Sequence, residues 1–135
     1  MGAMTVWMDS WQMECCGTPF SLGERVDWAV REPDRNWLAG VLGSQAAAQV
    51  DAAEGHHGDV DPQTTHRATG TVTGIQYVHC RYATASDRTR HPVPGSGTLT
   101  EVHEAEKWVG DSGESEFVGY LVRVDLDLDL GQDQG

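Results

Sequence analysis

The chain has 135 residues, enough for one domain that buries roughly two thirds of its unfolded surface and folds without disulfide staples. Nine basic against twenty-one acidic residues give a formal net charge of −12, which disfavours nucleic acids and anionic membranes and leaves basic proteins or small ligands as partners. No run approaches the roughly 20 apolar residues of a membrane span and no secretion signal is visible, so a cytoplasmic location with reduced thiols at the three cysteines is expected.

Met1 to Ala3, ahead of Met4, read as a vector-derived remnant. Residues 4–130 read as a single β-rich domain and 131–135 as a frayed tail. TVWMDSW (5–11) alternates as a first strand, with Val6 and Met8 on one face and Trp7, Asp9 and Trp11 on the other. Cys15-Cys16-Gly17-Thr18-Pro19 then turns the chain into GERVDWAV, where Val26, Trp28 and Val30 share a face. Asp34 can cap a short helix whose stripe is Trp37, Leu38, Val41 and Leu42 and whose stop is Gly43. SQAAAQVDAAE extends this with a second helical piece, and GHHGDVDPQTTH (55–66) is a polar loop.

RATGTVTGIQYVHCRY (67–82) reads as the central strand, bent or bulged near Gly74. TASDRTRHPVPGSG (84–97) is a second long irregular loop, TLTEVHEAEKW another strand and GDSGESE a turn. In FVGYLVRVDLDLDLG the residues Val118, Tyr120, Val122, Val124, Leu126, Leu128 and Leu130 recur at every second position, a pattern that only a strand gathers on one face. The fold expected is mainly β: a small antiparallel barrel of five or six strands, of SH3-like or OB-fold size, with one or two short helices. A two-layer α+β sheet is the alternative.

WQMECCGTPF, GERVDW, VHCRY and FVGYLVR together resemble a small actinobacterial protein family of unknown function. The likeness covers most of the chain and implies one natural domain, but brings no activity with it.

Cys15 and Cys16 with His79 and Cys80 form the one set of metal-ligating residue types on segments that can meet, with zinc as the fitting ion. Against it, adjacent strand residues point to opposite faces, so His79 and Cys80 do not readily share an ion; one cysteine from each pair with His56, His57 or His66 from the loop is the better-formed set. A vicinal Cys15–Cys16 disulfide is a strained alternative. The plainer reading puts one thiol in the core and the other under the Gly17-Thr18-Pro19 turn.

VHC and GDSG match the histidine and serine segments of trypsin-like proteases in order. His79 and Ser112 are too close in sequence for that two-barrel fold, however, and Glu114 stands where a glycine is required. The DLDLDLG run (125–131) fails the spacing of a calcium loop and reads as leucines inward, aspartates outward. Trp11 and Trp108, with His91 of the second loop, are the candidate ligand-binding residues. The sequence therefore points to a non-enzymatic binding module without a cofactor, engaging a protein or a small ligand. A metal- or thiol-dependent site on the cysteine segments is the alternative.

Overall fold

The computed structural model describes residues 2–54 and 66–127, the side chains of Cys16 and His66 excepted. Its elements are β1 (Ala3–Asp9), α1 (Ser10–Cys16), β2 (Phe20–Ser21), β3 (Arg25–Arg31), α2 (Arg35–Leu42), α3 (Ser44–Ala47), β4 (Ala52–Glu54), β5 (His66–Cys80), β6 (Tyr82–Thr84), β7 (Arg90–Pro92), β8 (Thr98–Val102), β9 (Glu104–Ala105) and β10 (Glu116–Leu126). Strands β1, β4, β3, β5 and β10 close a five-stranded barrel, and β8 lies beside the second half of β5 as a sixth strand. The barrel is mixed, because β1 and β4 run parallel while the other pairs are antiparallel.

Closure explains one departure from the sequence pattern. The alanine-rich 52–54 segment has helical propensity, yet it forms β4, wedged between β1 and β3, where it supplies the pairing that completes the ring. Tertiary pairing overrides local preference here, and the second helical piece shrinks to α3. Helix α2 follows its sequence signals: Asp34 Oδ1 accepts from the Trp37 amide at 3.1 Å, and Gly43 ends the helix at φ 90°, a conformation that favours glycine.

Two apolar cores share the barrel wall. Val6, Met8, Val30, Val72, Ile75 and Val124 fill the interior. On the outside, Trp7, Val78, Cys80, Val118 and Leu121 pack under Leu38 and Val41 of α2. The alternating ladder of β10 is thereby split. A register shift between Phe117 and Gly119 turns Val118 out to the helix layer and Phe117 inward, while Tyr120, Val122, Val124 and Leu126 keep the expected inner face. Leu128 and Leu130 lie outside the described residues. A second shift, at Thr73, sets the expected bulge beside Gly74.

The first strand stops at Asp9, so Trp11, Cys15 and Cys16 lie on α1 and not on a strand and turn as expected. Strand β1 itself begins at Ala3, opposite Asp125. The 84–97 stretch, expected to be irregular, contains most of a β6–β7 hairpin with Ala83 opposite His91. Its side-chain bonds explain the order: Asp87 Oδ1 accepts from both the amide and the hydroxyl of Thr89. After the hairpin, the Gly95 and Gly97 amides donate to the Gly40 and Val41 carbonyls at 3.1 and 2.9 Å, tying the arm's root to α2.

Candidate functional site

Among the sequence-derived candidates, Trp11 is 52 % and Trp108 68 % exposed. Trp11 lies on α1, just after β1, and Trp108 in the connection between β9 and β10. His91 is on the hairpin arm, its Nε2 2.7 Å from Thr89 Oγ1. Trp11 and Cys15 are both exposed on α1, four residues apart.

Cys15 is exposed and disulfide-bonded, which corrects the expectation of reduced thiols, while Cys80 is free and buried. His79 and Cys80 point to opposite faces of β5. His79 lies against Phe117, and Cys80 sits in the helix-side core. His79 Nε2 is 3.0 Å from the Gly110 carbonyl, so the VHC and GDSG segments do meet, but through a backbone acceptor and not the Ser112 hydroxyl. Ser112 belongs to a tight turn, bonded through both backbone groups to Ser115. Among the described residues, no three His, Cys, Asp or Glu side chains gather at a spacing that could hold a metal ion. His56 and His57 lie outside the described residues.

Two of the concave sites among the described residues are large. One, about 470 Å³, lies between β1 and the start of α2, over the tilted Trp7–Trp37 pair whose ring centroids are 5.5 Å apart. Its acids are already engaged: Asp9 accepts from Trp7 Nε1, Asp34 caps α2, and Glu32 faces Arg35. Close by, Glu54 is 2 % exposed, and burial, reinforced by Asp9 and opposed by Arg31, pushes its carboxyl up to about 7.

The other site is a groove of about 530 Å³ on the outer wall, crossing β1, β10, β5 and β8. Sheet register builds it in two rows. Thr5, Arg123 and Gly74 are consecutive partners in one; Trp7, Leu121, Gln76 and Glu101 in the next. Leu121 gives an apolar floor, and Gln76, Glu101, His103 and Arg123 rise around it. None of these four side chains spends its polar groups on a hydrogen bond or ion pair among the described residues.

Gly74 makes the depression between them. Gly70 and Gly119 are imposed by crowding, since an added Cβ would lie 1.9 Å from the Asp125 carbonyl oxygen and 2.5 Å from that of Met8. At Gly74 an added Cβ would meet only Arg123 Cβ, at an ordinary 3.5 Å. Packing does not require a glycine there; its effect is an open floor. In the sequence Gly74 marks a bend and nothing marks the groove, whose polar members look like ordinary surface residues.

Residues 2–126 match the model of a family of unknown function (DUF6578). The chain belongs to the DUF6578 family. The match spans both halves of the barrel and every element that lines the groove, so in DUF6578 terms the groove is part of the family domain itself. No curated protein and no solved structure matches the chain.

Proposed function

We propose that this domain is a non-enzymatic binding module whose ligand seat is the outer-wall groove over Gly74. The observation that carries the reading is the convergence of four polar side chains, not otherwise engaged among the described residues, on a glycine-floored groove of a size typical for small ligands. Donors and acceptors of several kinds (an amide, a carboxylate, an imidazole and a guanidinium) suit a small polar ligand better than an apolar one. The Trp7–Trp37 cleft is the weaker seat, because its acids already serve the protein's own donors. An actinobacterial source and a cytoplasmic setting belong to the same proposal. The first rests on the sequence likeness, and a disulfide-bonded Cys15 weighs against the second. No helix among the described residues is long and apolar enough to cross a membrane.

Ligand-observed NMR with a library of small polar fragments tests the reading. Hits on the native protein that vanish on Gly74→Val, while the variant keeps its fold, support it. Hits that survive that substitution, or none at all, remove the groove as the seat.

A further inference from the structure

The hairpin arm carries a charge opposite to that of the molecule. Arg81, Arg88 and Arg90 are three of the chain's nine Lys and Arg residues, and Asp87 is the one acid between positions 81 and 91. Spaced along the chain they form no basic run; the β6–β7 hairpin gathers them, with Arg81 just before β6, Arg88 in the turn and Arg90 at the start of β7. Every residue from Ala83 to His91 is exposed.

Among the described residues, the arm is held in shape by bonds that do not use the Arg88 side chain. Arg90 pairs with Glu116 and lies over the Tyr82 ring, 4.7 Å from its centroid, which anchors the arm's base. At the turn, Ala85 N donates to Thr89 O at 2.8 Å and Arg88 N to Ala85 O at 2.9 Å. Arg88 then takes φ 70°, the one positive φ of a non-glycine residue among those described. Hairpin turns usually place glycine or asparagine there, because a β-carbon is disfavoured in that region. The backbone gains nothing from arginine at this position. What Arg88 supplies is an exposed guanidinium, carried in the turn of the arm beside Asp87.

We infer that the β6–β7 arm is a docking finger for a carboxylate-rich protein segment, with Arg88 of its turn as the main contact. The planar fork of arginine pairs bidentately with carboxylates. At ionic strengths near 0.1 M screening acts over about 10 Å, so the charges on the arm itself weigh most in what docks on it. A nucleic acid fits less well, because phosphate polymers draw on extended basic tracks and the arm is a short one.

The test is a titration of the ¹⁵N-labelled full chain with decaglutamate at about 0.1 M ionic strength, followed by amide shifts. The expected result is shifts concentrated on residues 83–91, at least fivefold weaker binding for Arg88→Gly, and unchanged binding for Gly74→Val. Arg88→Gly should melt no lower than the native protein, since glycine relieves the turn, which separates lost contact from lost fold. Absent or scattered shifts, or equal affinity of Arg88→Gly, would overturn the inference. Tighter binding of a ten-nucleotide single strand than of decaglutamate would overturn it in favour of a nucleic-acid partner.

Discussion

Gly119 of β10 lies flush against the indole of Trp7: a Cβ added to the glycine would fall 2.6 Å from Trp7 Cζ2 and 2.5 Å from the Met8 carbonyl oxygen. This contact lets β1 and β10 close on one another while Trp7 fills the layer beneath α2. Neither obstacle can swing aside, one being backbone and the other a buried ring. Gly119→Ala should therefore cost about 3 kcal/mol, at the upper end of overpacking effects. Gly74→Ala should go the other way, gaining about 0.5 kcal/mol by restricting the unfolded chain, because its β-carbon fits. Urea unfolding of the two variants checks both signs.

Glu54 makes stability depend on pH. Its folded pKa of about 7 lies above the ordinary 4.5, so between those values the native state keeps a proton that the unfolded chain releases. Stability contributed through this group is therefore highest below pH 4.5, falls as pH rises through the window, and is lower by roughly 3 kcal/mol above it. Glu54→Gln should remove that slope and be more stable than the native protein at pH 8, measured by denaturant unfolding across pH 4 to 8.

Cys80 should be chemically silent in the folded protein. It is fully buried beneath α2, and burial, helped by Glu116, raises its thiol above the ordinary range, with the Tyr82 hydroxyl opposing. Maleimide labelling followed by peptide mapping should leave Cys80 unmodified until denaturant is added. Cys80→Ser should cost about 1–3 kcal/mol for a hydroxyl placed in an apolar layer.

Local chemistry made much of the fold legible. The faces of Val6 and Met8, the cap at Asp34, the stop at Gly43 and the bulge beside Gly74 are each written in a few neighbouring residues. What escaped depends on distant partners. Ala52 to Glu54 become a strand because β1 and β3 receive them, and Val118 changes face because β10 shifts register against β5. The groove was hidden for the same reason: Arg123, Gln76 and Glu101 come from three separate strands, and cross-strand register alone brings them together. The arm's charge was hidden by spacing, with Arg81 and Arg90 far enough apart to look ordinary until a hairpin folded them back.

Crystals of the protein soaked with small polar fragments give the most direct trial of the binding role. The account predicts fragment density over Gly74, touching Gln76, Glu101, His103 or Arg123. Density that gathers in the Trp7–Trp37 cleft while the outer-wall groove stays empty would contradict it.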